Sequence, residues 1–450
     1  MVKFKKSLFI FRRDLRIQDN IGLINALSKS EKVIPVFIFD VHQKNHEYFS
    51  DNAFEFMVNS VLELKKSIQK TGSDLLVLKG DLIGILKDLK ESEGFDAVFF
   101  NKDYTPFSLS RDAVIEKFCH ENNIFFESFH DALLNPPGSV LNMDGEMYKV
   151  FSAFHKKALS LDVSKPLLND YSNFFCPSMR VVNLNNVLKK SNSDLFVKGG
   201  RGEGLSLLSS LKDKKDYEYF SDFVFVDATS KLSAHLKFGT LSVREVYWFI
   251  VENFFFGHSL NSQLYWRDFF THVAFFYPKV FGNSFKEKFD KIKWWGSDKH
   301  FVAWCEGKTG FPLVDAGMRQ LNKTGWMHGR VRMLCASFLV KNLGVDWRRG
   351  EKYFAQKLVD YDPSLNNGNW QWSASTGCDA QPYFRIFNPL LQSKKFDVDC
   401  LYIKKWVPEL KNVDSKKIHS LSFSGVDYLV PVVDYKKSVL RAKDEFSKLF

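Results

Sequence analysis

Four stretches of this chain hold residues whose types and spacing suit chemistry on a flat ligand. Residues 360–389 read DYDPSLNNGNWQWSASTGCDAQPYFRIFNP. Trp370 and Trp372 stand one residue apart, after the polar run Asn366, Asn367, Gly368 and Asn369, which has turn chemistry. Ser373, Ser375, Thr376, Tyr383, Phe384, Arg385 and Phe387 follow. Flat rings, fixed amides and a cationic clamp are what a planar ligand needs. Composition alone favours a plainer reading, a Trp-rich core helix bounded by a loop. In the second stretch Gln263, Trp266, Arg267 and Phe270 are spaced to share one helix face, which lines up an amide, a stacking ring and a cation. The plainer version is a core Trp, with Arg267 and Asp268 solvated or paired elsewhere. The third, Thr229-Ser230-Lys231-Leu232-Ser233, opens a predicted helix. Hydroxyls there cap free N–H groups, and the same helix end attracts phosphate. Taken alone, the signal reads as capping. The fourth is Gly325-Trp326-Met327-His328-Gly329-Arg330-Val331-Arg332-Met333, in which a lone His328 reads as structural.

The elements that must carry these residues divide along the chain. Apolar runs at Ser7–Phe11, Val33–Phe39, Leu75–Leu78, Ala97–Phe100 and Phe125–Phe129 predict strands. Helical patterns at Ile21–Ser28, Ala53–Gln69, Leu82–Leu89 and Asp112–His120 separate them. Apolar strands alternating with helices predict a parallel α/β sheet of Rossmann-like topology over residues 1–131. The motif RRDLRIQDN at Arg12–Asn20 follows the first strand, at the edge where such sheets bind ligands. Locally it reads as a charged loop with Asp19 or Asn20 capping a helix. No GxGxxG follows, so a nicotinamide site is not supported. Residues 132–195 lose periodicity around Asn135-Pro136-Pro137-Gly138 and read as an interdomain connector. Residues 196–450 are dominated by helical patterns and end in a basic amphipathic helix, Tyr435–Leu449, expected to dock rather than bind membrane. Gly307-Lys308-Thr309 resembles the end of a P-loop, but Val302 replaces the first glycine.

Composition bounds the class. The 450 residues are 45% hydrophobic and 26% charged, which is ordinary for a soluble protein of two domains or more. A net charge of +11 favours a polyanionic partner. The six cysteines are far apart, without zinc-ligand spacing, and the charged N-terminus fits neither a signal peptide nor a span. A reducing, cytoplasmic location is expected.

The stretch 360–389 resembles the flavin and substrate region of the DNA photolyase/cryptochrome family, with the class I cyclobutane pyrimidine dimer photolyases the closest match. The resemblance is close from about 215 to 410 and loose over 1–195. It implies an N-terminal antenna-binding α/β domain and a C-terminal helical FAD- and DNA-binding domain. By residue-for-residue match it assigns FAD contacts to Tyr217, Thr229, Ser230, Lys231, Leu232, Ser233, Arg267, Arg332, Asp360, Asp362 and Asn366. Arg332 is expected to pair with Asp360, and Asn366 to stand opposite flavin N5, where an amide accepts from the N–H of a reduced flavin. Gln263, Trp266, Arg330, Met333, Trp372 and Gln392 match DNA-side positions, and Trp370, Trp347 and Trp294 match an electron-transfer chain. Two positions depart from the pattern. Gln263 stands where glutamate is usual, so it donates from an amide and cannot transfer a proton. Gly329 stands where asparagine is expected.

The implied activity is light-driven repair of cyclobutane pyrimidine dimers in DNA by a monomer without an obligatory protein partner. The alternative is a cryptochrome-type photoreceptor. Asn366 and the Trp266/Trp372 pair favour repair, while Gln263 and Gly329 weaken the lesion contacts. The absence of a histidine pair near Trp326 and Met327 favours the cyclobutane dimer over the (6-4) photoproduct. A third reading, a basic nucleic-acid-binding protein without catalysis, explains the charge but not the flavin motifs. The antenna chromophore stays open between methenyltetrahydrofolate, a deazaflavin, a second flavin or none. Phe107-Ser108 replaces the asparagine–glutamate pair of folate-binding relatives.

Overall fold

The computed structural model describes residues 2–40, 46–177, 182–188 and 191–450. Parts of the expected connector, residues 178–181 and 189–190, lie outside the described residues. The chain falls into two compact units. The first comprises Met1–Ser191, Val197–Asp213 and Ser230–Pro278; the second comprises Asn192–Phe196, Lys214–Thr229 and Lys279–Phe450.

The first unit is built on five parallel strands, β1 (Phe4–Phe11), β2 (Ser30–Asp40), β3 (Leu76–Gly80), β4 (Ala97–Asn101) and β5 (Phe125–Phe129), in the order β3-β2-β1-β4-β5. Every predicted strand is present, extended by a few residues at most. The apolar runs have their cause in this topology, because helices cover both faces of the sheet. Leu8, Phe9, Ile10 and Phe11 of the central strand are all buried, each contributing about 1.5–3 kcal/mol. Side chains set the helix starts: Asn20, Ser50, Asp81 and Thr105 each accept from a backbone N–H of the first turn. The fourth sheet helix begins at Pro106, earlier than its periodicity suggests, because Thr105 caps it and Pro106 occupies N1. The unit also holds helices Phe151–Ala158, Arg201–Ser210, Ser233–Phe238, Val243–Asn253 and Ser259–Phe276. The first of these lies where the sequence reading placed only irregular connector.

The chain runs β1, β2, β3 to one side and then returns to lay β4 and β5 on the other. The order therefore switches between β1 and β4, where Arg12, Arg13 and Asp14 meet Asn101, Lys102 and Asp103. The RRDLRIQDN segment is no solvated loop. Asn20 caps the next helix as expected, but Arg16 and Asp19 are buried in an ionic network. Arg16 Nη2 lies 2.6 Å from Asp131 Oδ2, Arg244 Nη2 lies 2.7 Å from Asp131 Oδ1, and Arg244 Nε lies 3.0 Å from Asp19 Oδ2. Gly239, at φ +63, brings its backbone against this segment; a Cβ there would sit 2.1 Å from the Arg13 carbonyl oxygen.

The second unit is helical, and no strand occurs in it among the described residues. Its core gathers Trp304, Trp347, Phe354 and Trp370, with Trp294 packed against it. Helices Trp347–Lys357 and Pro363–Ala374 approach at Gly350, where a Cβ would fall 2.2 Å from the Trp370 ring. The C-terminal helix Tyr435–Ser447 docks as expected, burying Ser438, Ala442 and Phe446. Phe446 offers its ring face to the buried Lys341 amino group at 3.7 Å. Lys341 also donates to Ser375 Oγ at 2.9 Å, and burial pushes its pKa well down. Thr309 donates to Asp315 from both its backbone and its hydroxyl, so the GKT segment is a structural turn. Among the described residues no helix is long and apolar enough to cross a membrane.

Burial raises the Asp131 pKa, but Arg16 and Arg244 outweigh it and hold the carboxyl below its usual range. Its contribution is therefore present at neutral pH and lost as pH falls through the folded-state value. Asp131→Asn should destabilise the protein by about 3–5 kcal/mol at pH 7. Urea titrations should show that deficit shrinking below about pH 4.

Candidate functional site

In the second unit, one helix carries much of the chemistry. Pro363–Ala374 starts where Asp362 Oδ1 accepts from Ser364 N (3.0 Å) and Leu365 N (3.2 Å), with Pro363 at N1. That fixed start sets the rotation of Asn366, Trp370 and Trp372. Asn366 and Trp370, four apart, are buried, while Trp372, two further on, is half-exposed. Asn366 Nδ2 donates to Glu351 O at 3.0 Å and to Glu351 Oε1 at 3.3 Å. With its NH₂ directed at Glu351, the side chain presents its carbonyl oxygen as an acceptor.

Arg332 and Asp360 form a two-pronged pair, Nη1 to Oδ1 at 3.2 Å and Nη2 to Oδ2 at 2.9 Å, and Arg332 Nε donates to Met327 O at 2.8 Å. The fork is planar and fixed. His328 caps the helix Gly329–Ser337 through Nδ1, 3.2 Å from Arg330 N, and burial pushes its pKa down to about 4. It is the structural histidine the sequence suggested. Tyr217 opens a short helix, and burial, then Asp222, pushes its phenol up to about 12.

Of the expected DNA-side residues here, Met333, Trp372 and Gln392 are half-exposed. Arg330 is paired with Asp222 at 2.5 Å, and its guanidinium covers the Phe396 ring at 4.1 Å. Lys394 and Lys395 are exposed, and a side chain at Gly329 would meet open space. Trp347 is fully buried, Trp370 nearly so and Trp294 half-buried. Trp370 sits edge-on to Trp304 at 6.0 Å.

In the first unit, Ser259–Phe276 is the second carrier. Gln263 is exposed, Trp266 half-buried and Arg267 buried. Arg267 donates to the carbonyls of Ala132 and, at 3.2 Å, Leu236. It thereby ties this helix to Ser233–Phe238, the one opened by Thr229–Ser233. The hydroxyls there do not cap that helix: its N-cap position is Leu232, without a side-chain cap, and Lys231 takes φ +58. Uncapped N–H groups with Ser230, Lys231 and Ser233 beside them suit a pyrophosphate. Asp268 is neither solvated nor paired across an exposed face. It is wholly buried and accepts from Asn135 N at 2.7 Å; burial drives its pKa up to about 7, against the pull of Arg267. One ring was missed by the sequence reading: Phe151 lies face to face with Trp266, centroids 3.6 Å apart and planes 9° apart.

Known proteins carry the same organisation. Residues 259–448 match the family model described as the FAD binding domain of DNA photolyase, and residues 7–169 match the one described as DNA photolyase. A deoxyribodipyrimidine photo-lyase of Buchnera aphidicola is 37% identical, covering 96% of this chain and 95% of its own. A crystal structure of an archaeal photolyase from Sulfolobus tokodaii with two FAD molecules superposes with a TM-score of 0.90 at 44% identity, covering 98% of this chain and all of its own. A bacterial class III photolyase from Agrobacterium tumefaciens gives a TM-score of 0.93 at 33% identity, covering 100% and 98%. The chain belongs to the DNA photolyase/cryptochrome family. The sheet-plus-helical architecture expected from the sequence is the family's own.

Asp268 supplies a pH test. Its folded-state pKa exceeds its unfolded one, about 3.9, so the folded state holds the extra proton and stability falls as pH rises from about 4 to 7. Asp268→Asn removes that fall. The urea midpoint of this variant, relative to wild type, should climb between pH 5 and pH 8.

Proposed function

We propose that this protein is a light-driven DNA repair enzyme, a deoxyribodipyrimidine photo-lyase acting on cyclobutane pyrimidine dimers. The observation that carries the reading is the Asn366 amide, whose NH₂ is held by Glu351 so that its carbonyl oxygen is left as the acceptor. That acceptor suits the N–H of a reduced flavin. The donor set fits FAD. In the second unit Tyr217, Thr229, Arg332, Asp360 and Asp362 are the residues that would hold it, with the Arg332–Asp360 fork suited to the ring system; in the first unit Ser230, Lys231, Leu232, Ser233 and Arg267 are, with the start of the helix at Ser233 suited to pyrophosphate. Bound in its reduced form and excited by blue light, FAD would supply the one-electron donation that cyclobutane-ring opening needs and would regain the electron afterwards.

The chain's other residues position the lesion. A dimer is poorly stacked in the duplex, so extruding it costs little. Trp266 and Trp372 offer stacking surfaces, and Gln263 donates an amide hydrogen to a thymine carbonyl without moving a proton. Met333 and Gln392 contact the extruded bases. Arg330 exchanges its Asp222 partner for a phosphate flanking the lesion, a contact that salt screens. Trp370, Trp347 and Trp294 would form the route by which electrons restore the reduced form of a bound FAD. The α/β domain, residues 1–131, is where an antenna chromophore would bind, with the choice open between a flavin, a deazaflavin, methenyltetrahydrofolate and none. The enzyme works as a monomer in the cytoplasm, bound to DNA.

The test incubates purified, reduced protein with dimer-containing DNA in the dark and under blue light. Dimers should disappear only in the light. FAD-loaded protein that leaves them intact would move the assignment to a cryptochrome-type photoreceptor. Trp266→Ala should weaken dimer binding by about 10-fold or more, the scale of one stacked base, with FAD content unchanged.

A further inference from the structure

The helix Phe151–Ala158 lies in a segment that the repair reading assigns to no task. It packs on Ser259–Phe276 through matched steps. Phe154 is fully buried against Phe269 (5.4 Å, 62°) and His272 (5.0 Å, 76°). Three residues earlier on both helices, Phe151 meets Trp266 at 3.6 Å and 9°. His155 continues the pile on Phe151 (5.2 Å, 11°) and meets Tyr265 edge-on at 4.9 Å. Phe270 adjoins Trp266 at 5.4 Å and 29°.

The two phenylalanines do different work. Phe154 is core, and burial accounts for it. Phe151 and His155 are half-exposed, so burial alone accounts for them less well. An indole on a helix surface samples several rotamers. A ring backed face to face by Phe151, with Phe270 adjoining it, keeps one plane. Binding an extruded base then does not have to order that side chain, which is the gain of preorganisation.

We propose that Phe151, backed by His155, is a positioning residue that fixes the plane of Trp266 for the pyrimidine dimer and so sets discrimination for damaged over undamaged DNA. The inference rests on the repair reading of Trp266. The test compares wild type with Phe151→Leu, which keeps the apolar volume and loses the flat face, and with Phe151→Tyr, which keeps both. Phe151→Leu should weaken dark binding of a dimer-containing oligonucleotide about 3- to 10-fold, the scale of one aromatic pair. Affinity for the undamaged oligonucleotide, FAD content and the repair rate at saturating DNA should hold, and Phe151→Tyr should restore dimer affinity. Phe151→Met provides a second non-planar replacement should the leucine variant not fold. Unchanged dimer affinity in a folded, FAD-loaded Leu or Met variant would overturn the proposal. So would equal loss for both oligonucleotides. Wild-type protein that carries FAD yet neither prefers nor repairs the dimer would refute the repair reading itself, and the Phe151 assignment with it.

Discussion

The close approach of Gly350 to Trp370 constrains everything that the second unit does. With a Cβ position only 2.2 Å from the indole, the helices Trp347–Lys357 and Pro363–Ala374 pack at a distance only glycine permits. That contact fixes how far Pro363–Ala374 lies from its neighbour, and the Asp362 cap fixes where it begins. Once both are set, 3.6-residue periodicity leaves no freedom. Asn366 must face Glu351, four residues on Trp370 must enter the core, and Trp372 must turn away toward the surface. One steric contact and one cap thus determine the direction of an acceptor, a buried indole and a half-exposed one.

The sheet was legible in the sequence because its physics is local. A strand covered on both faces must be apolar throughout, so β1 and β2 declare themselves. The helix starts after Asn20 and Asp81 declare themselves too, whereas the Thr105 cap with Pro106 at N1 did not. The helix Phe151–Ala158 was not legible for the matching reason: Val150 stands at its N-cap, no side chain caps it, and eight residues are too few for a clear period. It exists because Phe154 is buried on another helix, which is tertiary information. The opposite error threatened at Thr229–Ser233. Its hydroxyls look like caps, yet the helix starts at Ser233 with Leu232 in the cap position, and Lys231 takes a left-handed turn. Capping chemistry present but unused marks a backbone held in place for another purpose.

Charge shows the same limit. A net charge of +11 points to a polyanion, but the structure commits several of those cations internally. Arg16 and Arg244 are buried with Asp19 and Asp131, and the half-buried Arg332 is forked onto the buried Asp360. Composition counts such groups as available to DNA; burial removes them. Buried pairs of this kind add little net stability over an apolar core. Their value lies in direction, since a forked Arg–Asp pair admits one geometry.

The buried tryptophans separate packing from chemistry. Trp304 and Trp347 are equally inaccessible, but Trp304 Nε1 donates to Cys335 O at 3.0 Å. Trp347 Nε1 finds no hydrogen-bond partner among the described residues. An unmet buried donor costs about 1–3 kcal/mol, and phenylalanine would fill much of that space without the cost. Core packing therefore explains Trp304 and does not explain the indole at Trp347. An indole differs from a benzene ring in giving up an electron far more readily, and that property is the one the proposed route from Trp294 through Trp347 to Trp370 requires. The unmet donor at Trp347 supports the redox role proposed for that residue over a packing role.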